Sequence, residues 1–203
     1  SGIADAAGNA IAAGFTAGQS YAFDHSAPSV TSVGVPSSAS YVAGQNLDFT
    51  VNFSEAVTVV GTPTVAVTLD TGGTAQASYV GGSGGTALTF RHTVASGAID
   101  GDGVSLAGAI ALNSGTIKDG VGNDATLTLN SVGVLSGVLV DAVAPGVASI
   151  SRVGSAGTNA ASVDYTVTFS ESVTGVGAGD FALSATGTAG GAIASVSGGG
   201  ASY

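Results

Sequence analysis

Carboxylates are the side chains in this sequence with the clearest capacity for chemistry. The chain has 13 Asp and Glu residues against three Lys and Arg residues, which gives a formal net charge of −10 at pH 7. Such a charge excludes a nucleic-acid-binding function, because binding DNA or RNA requires clustered basic residues. Carboxylates instead suit hard divalent cations such as Ca²⁺, which takes about six to eight oxygen ligands.

Eight oxygen-bearing side chains near predicted loops and strand ends are the candidate metal ligands. They form two groups, namely Asp24, Glu55, Asp119 and Asn123, and Asp100, Asp102, Asp141 and Glu171. Asp and Asn in Gly-containing loops also close turns by accepting backbone hydrogen bonds, so a purely structural role explains them equally well. The Asp-Gly-Asp-Gly run at 100–103 is not an EF-hand, because a late Glu and further spaced ligands do not follow it.

Catalytic motifs are missing from the sequence. There is no Cys, and the two His residues fall in a predicted linker (His25) and on the outer face of a predicted strand (His92). No Ser lies in a Gly-x-Ser-x-Gly motif between a strand and a helix, and the Gly-rich run at 81–85 lacks the Lys of a phosphate-binding loop. We therefore expect that the protein is not an enzyme.

Internal repetition is the feature of the sequence that most restricts its organisation. Three segments recur in the same order, at offsets of 114 to 117 residues: 3–9 as 117–123, 27–30 as 144–147, and 50–57 as 166–173. One repeat unit therefore spans roughly 115 residues, which is the size of a small β-sandwich domain. The phase of the repeat predicts the end of one module in 1–26, a complete module in 27–143 and the first half of another in 144–203. The edge of this half module is predicted to be disordered or to be filled by the 1–26 segment of the same or another copy.

The complete module is predicted to contain about seven strands. Alternation or short β-branched runs occur at 30–35, 47–53, 64–69, 75–80, 87–94, 104–112 and within 126–140. In the second of these, Leu47, Phe49, Val51 and Phe53 face one side and polar residues face the other, as in a sheet with one solvated face. Lys, Arg, Glu and Gln, which commonly cover exposed helix faces, are scarce. The sequence therefore predicts an all-β fold of tandem sandwich modules.

Three phrases carry a resemblance to a known family. They are Val-Thr-Phe-Ser-Glu-x-Val at 167–173, Asp-x-x-Gly-Asn at 119–123 and Asp-x-x-Ala-Pro at 141–145. Together they resemble the tandem bacterial immunoglobulin-like modules of large repetitive adhesins and biofilm-associated cell-surface proteins. The resemblance implies extracellular display, an array architecture and often calcium at the module junctions. Together with the strand pattern and the phase of the repeat, it predicts immunoglobulin-like sandwiches of about seven strands each, one complete and two partial.

The immunoglobulin-like topology predicts where the candidate ligands meet. The incoming linker, the loop after the second strand and the loop before the last strand lie at one end of such a sandwich. The first ligand group should therefore converge at the entry junction, and the second group at the next junction.

We expect a structural or adhesive segment of a secreted surface protein, serving as a stalk, spacer or filament module. The alternative is a carbohydrate-binding or enzyme-accessory sandwich. The expected partners are neighbouring modules, and other copies of the chain by strand complementation or filament assembly. No apolar run is long enough to span a membrane.

Overall fold

The protein is built from β-strands. A computed structural model describes residues 2–11, 17–187 and 190–203. The strands among these residues are β1 Val30–Gly34, β2 Ala39–Tyr41, β3 Asn46–Val60, β4 Thr64–Thr68, β5 Thr74–Gly81, β6 Gly85–Thr93, β7 Ile99–Asp100, β8 Ser105–Ala111, β9 Thr116–Lys118, β10 Val138–Asp141, β11 Val147–Arg152, β12 Tyr165–Val173 and β13 Gly200–Ser202. One 3₁₀ turn, Ala178–Asp180, accompanies them. The predicted all-β class is confirmed. No helix in the described ranges is long and apolar enough to cross a membrane.

The strands form three sheets. The largest has the order β1-β3-β6-β5-β4-β8 with antiparallel neighbours, and β9 pairs with the end of β3. The second has the order β2-β10-β7, in which β2 and β10 are parallel. The third contains β11, β12 and β13.

One hydrophobic core lies in the region between Val30 and Ala142. Leu47, Phe49 and Val51 project into it from β3 and are fully buried, as their alternation predicts. Val138 and Val140 of β10 belong to the same core cluster, so residues of the first two sheets enclose it together.

Strand β3 changes its partners part-way along its length. Its first part pairs with β1 and β6, and the register with β6 shifts between Asn52 and Val57. Beyond the shift, Val59 pairs with Ile117 of β9. Such an irregularity bends a strand and redirects its side chains, and Glu55 lies within it.

The chain enters and leaves the 27–143 region at opposite ends. Strand β1 begins beside Phe53, next to the bend of β3. Strand β10 runs parallel to β2, so both strands end at the same end of the region. The turn that follows β2 lies near the start of β3, where the N–H of Gly44 donates to the carbonyl of Val94. The end of β10 therefore lies at the start of β3, away from the bend.

The sequence repeat corresponds to a repeat of local structure. Val30 pairs with Phe53 and Val147 with Phe169, and both ladders have a register shift directly after this pair. The hydroxyl of Ser54 accepts the N–H of Ser29 at 3.0 Å, and that of Ser170 accepts the N–H of Gly146 at 2.9 Å. Strand β13 pairs with β12 in the same way that the start of β6 pairs with β3.

The structure differs from the sequence prediction in two respects. Each of the seven predicted strands overlaps a strand, but β2, β7 and β9 are additional and contain only two or three residues each. Segments this short have no detectable alternation. Tyr21 and Phe23 are exposed, although their alternation and aromatic character favour inward, core-packed positions in a strand.

Candidate functional site

Three carboxylates from separate parts of the chain meet near the bend of β3. Asp24 lies in the segment before β1, Glu55 in the bend, and Asp119 directly after β9. One carboxylate oxygen of each lies within 4.8 Å of the others. We call these residues the entry cluster, because the chain enters the 27–143 region here.

Asp119 closes a tight turn within the entry cluster. Its Oδ1 accepts the N–H groups of Val121, Gly122 and Asn123 at 2.9, 2.6 and 2.8 Å. Its Oδ2 accepts the side-chain amide of Asn123 at 2.7 Å. Burial alone would raise the pKa of Asp119, but these hydrogen bonds from Asn123, Val121 and Gly122 outweigh it and leave the pKa below its ordinary value. Asp119 is therefore a stable anion.

Asn123 connects this turn to the incoming segment. Its Nδ2 also donates to the carbonyls of Asp24 and Ser26 at 3.3 and 3.2 Å. Asp24 itself accepts the N–H of Ser26 at 2.9 Å. Asn123 thus holds the backbone of the segment whose carboxylate completes the cluster, and the hydrogen bonds of its side chain are all donated by Nδ2.

Glu55 lies in an unfavourable electrostatic environment. Removal from water raises its pKa, and the negative charges of Asp24 and Asp119 raise it further. The nearby ammonium of Lys118 pairs with Asp124 at 2.7 Å. A divalent cation at this position would offset the mutual repulsion of the three carboxylates.

A second cluster lies at the opposite end of the 27–143 region. Asp70, Asp100 and Asp102 each place an oxygen within 4.8 Å of the others. Asp100 is buried, and its Oδ1 accepts the N–H of Gly103 at 2.7 Å. Burial raises the pKa of Asp100, and Asp70 and Asp102 contribute to the increase. We call these residues the exit cluster.

The other two predicted ligands lie beside the exit cluster rather than within it. Asp141, Glu171 and Asp100 line one cleft of about 380 Å³, between the 27–143 region and the segment that follows. Asp102 is not part of the cleft lining. The Oε1 atom of Glu171 is shielded from solvent and has no hydrogen-bond partner among the described residues. Sequence reasoning missed Asp70, which lies in the turn between β4 and β5.

The Asp119 turn has a second copy near the N-terminus. Asp5 Oδ1 accepts the N–H groups of Ala7 and Asn9 at 3.0 and 2.9 Å, and Oδ2 accepts Asn9 Nδ2 at 2.8 Å. Gly8 and Gly122 occupy equivalent positions with φ of 87° and 104°, where a side chain would be strained. Asp5 belongs to neither acidic cluster found in the described residues. The Asp-x-x-Gly-Asn turn therefore forms without carboxylate neighbours, and turn closure does not explain the positions of Asp24 and Glu55.

Comparison of the chain with protein-family models, curated proteins and solved structures found no significant match.

Proposed function

We propose that this chain is a structural or adhesive segment of an extracellular surface protein, in which tandem immunoglobulin-like sandwich modules form a stalk, spacer or filament. Calcium at the module junctions stiffens the array. One observation carries the proposal: the segment entering the 27–143 region contributes a carboxylate to a cluster completed by two elements of that region.

The entry cluster suits a junction because its ligands belong to both sides of the boundary. A cation bound by Asp24, Glu55 and Asp119 would fix the incoming segment against the bend of β3. Backbone carbonyls and water would complete the coordination, because Ca²⁺ tolerates a flexible arrangement of oxygen ligands. The hydrogen bonds that Asn123 donates to the carbonyls of Asp24 and Ser26 already hold this segment in place.

The repeat supports the modular part of the proposal. The β1–β3 and β11–β12 ladders share their register and their irregularity, which supports a module that begins near residue 27 and another that begins near residue 144. Two sheets around one core within about 115 residues have the size of an immunoglobulin-like domain. The absence of Cys is compatible with an oxidising extracellular environment.

Calcium-dependent unfolding tests the proposal. Calcium at about 100 times its dissociation constant should stabilise the folded state by about 2.7 kcal/mol. We expect the midpoint of thermal unfolding to rise on the order of 10 °C relative to the chelated protein. Differential scanning calorimetry of the full chain, with Ca²⁺ and with a chelator, measures this difference.

Two variants assign the effect to the entry cluster. Glu55→Gln removes one ligand charge and should lose most of the calcium response, whereas Asp164→Asn removes one exposed carboxylate outside both clusters and should retain it. An unfolding midpoint that does not respond to chelation in the unsubstituted chain would contradict the proposal.

A further inference from the structure

Residues 124–133 lie between the two edge strands of the largest sheet. On one side, the N–H of Leu129 donates to the carbonyl of Gly108 in β8 at 2.8 Å. On the other side, the N–H of Gly133 donates to the carbonyl of Val33 in β1 at 3.0 Å. These residues, which we call the seam segment, therefore join β8 to β1 and close the sheet.

The seam segment is held less firmly than the strands beside it. Its pairings with β1 and β8 are isolated bridges, whereas β3 and β6 pair continuously from Asn46 to Asn52. Its apolar side chains Ala125, Leu127 and Leu129 pack against the core but are only partly buried. Segments with few backbone hydrogen bonds and partly exposed apolar side chains open at a lower free energy than the core. We therefore expect the seam segment to open while β3 and β6 stay paired.

The start of the seam segment is bonded to the incoming segment. The N–H of Thr126 donates to the carbonyl of Pro28 at 2.7 Å. Asn123, directly before the seam segment, donates its side-chain amide to the carbonyls of Asp24 and Ser26. Three carbonyls of the incoming segment thus depend on this short stretch of chain. Opening of the seam segment would break the bond to Pro28 and displace Asn123, so Asp24 would leave the entry cluster.

We infer that the seam segment is a conformational switch, which opens as one unit and releases the incoming segment as it opens. In the closed state the sheet is complete and Asp24 lies beside Glu55 and Asp119. In the open state β1 and β8 lose their shared neighbour and the entry cluster loses one carboxylate. A displacement of the incoming segment is thereby transmitted to both edges of the sheet. The calcium dependence of this switch rests on the function proposed above, whereas the switch itself does not.

A disulfide can hold the seam segment closed. Ala109 of β8 and Thr128 are exposed and lie opposite each other in an antiparallel bridge. The hydrogen bonds donated by Ile110 and Leu129 flank this pair, so its Cα atoms belong to a non-hydrogen-bonded pair, which is about 4.5 Å apart. A disulfide spans that distance. Because the chain contains no Cys, the Ala109→Cys/Thr128→Cys variant can form one defined bridge.

Amide hydrogen exchange of this full-length variant, followed by NMR in chelator, tests the switch. In the reduced protein, Thr126 and Gly133 should exchange at least about tenfold faster than the central amides of the β3–β6 ladder. Oxidation fastens the seam segment to β8, and it should slow both amides at least about tenfold. The Ser26 amide, which donates to Asp24 Oδ1, should slow with them. The Gln45 amide, bonded within the turn at the opposite end, is the control and should not change.

Two results would overturn the inference. One is seam amides that exchange as slowly as the β3–β6 ladder in the reduced protein, because the seam segment would then not open separately. The other is a Ser26 exchange rate that oxidation leaves unchanged, because opening would then not release the incoming segment.

Calcium provides a second measurement on the unsubstituted chain. The entry cluster is complete only while the seam segment is closed, so calcium at about 100 times its dissociation constant should slow the Thr126 and Gly133 amides about 100-fold. Glu55→Gln should lose most of this slowing, and Asp164→Asn should retain it. Slowing confined to the β3–β6 ladder would show that the cluster survives the opening, which would overturn the coupling. A melting midpoint indifferent to calcium would contradict the proposed function instead, and the oxidised and reduced proteins in chelator would still decide the switch.

Discussion

Glu55 and Asp119 contribute the same charge to one cluster, yet their surroundings shift their pKa values in opposite directions. Asp119 receives hydrogen bonds from the turn that it closes, which stabilise its anion. For Glu55 the dominant effects are loss of water and the two neighbouring carboxylates, which destabilise its anion. A proton or a cation would therefore relieve an unfavourable charge at Glu55, whereas the anion of Asp119 is already stabilised by its hydrogen bonds.

This contrast predicts a maximum in stability at mildly acidic pH when divalent cations are absent. Glu55 and Asp100 have raised pKa values in the folded state, so the folded protein takes up their protons before the unfolded chain does. Protonation of these two residues therefore stabilises the fold as the pH falls from neutral towards their pKa values in the unfolded chain, 4.5 and 3.8. The lowered pKa values of Asp119 and Asp48 mean that their contributions are lost as the pH falls below about 3.8. Urea unfolding midpoints in chelator across this range measure the profile.

Glu55→Gln should reduce the rise between neutral pH and pH 4.5, while Asp164→Asn should leave it unchanged. A midpoint that falls steadily from neutral pH downwards would contradict the opposing shifts.

At the scale of the element, β3 places a solvated residue next to a core residue. Asp48 accepts two hydrogen bonds of 2.6 Å from Arg91 on β6, and both side chains are about two-fifths exposed. Exposed ion pairs contribute about 1 kcal/mol or less. The next residue, Phe49, is fully buried.

We therefore expect Asp48→Asn to cost at most about 1 kcal/mol in the free energy of unfolding, and Phe49→Ala to cost about 3 to 5 kcal/mol. Chemical denaturation measures both. Equal losses would show that β3 does not alternate between solvent and core.

The turn at 119–123 predicts a local effect on the incoming segment. Asn123→Ala removes the donor that holds the Asp24 and Ser26 carbonyls. Two lost hydrogen bonds of about 1 kcal/mol each amount to about 2 kcal/mol, so exchange of the Ser26 amide, which donates to Asp24 Oδ1, should accelerate about thirtyfold, with β3 and β6 unchanged. Asn9→Ala, which alters only the equivalent N-terminal turn, is the matched control. Unaltered exchange at 24–26 in the Asn123 variant would mean that Asn123 does not hold the segment.

At the scale of the whole molecule, the repeat was the most informative part of the sequence. The repeated sequence segments adopt the same local structure. Their hydrogen bonds, such as those accepted by the hydroxyls of Ser54 and Ser170, join residues that both belong to repeated segments. The proximity of Asp24, Glu55 and Asp119 could be predicted, because the expected topology places the incoming linker and the two loops that carry them at the same end of the sandwich. Asp70 could not be assigned to the exit cluster because its distance from Asp100 depends on how β4 and β7 are placed.

The exposure of Tyr21 and Phe23 shows another limit of sequence reasoning. A strand-like pattern indicates which side chains would face inward, but burial requires a partner sheet. In the described residues that partner is absent for these two positions, whereas their counterparts in β10 lie against β2 and β7.

Because the chain enters and leaves the 27–143 region at opposite ends, tension along the chain acts parallel to the strands. Pulling on residue 29 draws β1 along β3, and the bonds of an antiparallel ladder lie perpendicular to that direction. All the bonds between β1 and β3 are then loaded in shear together, instead of opening one after another. Resistance to stretching follows from the height of the unfolding barrier, which places the mechanical strength of this region in the first strand of its main sheet.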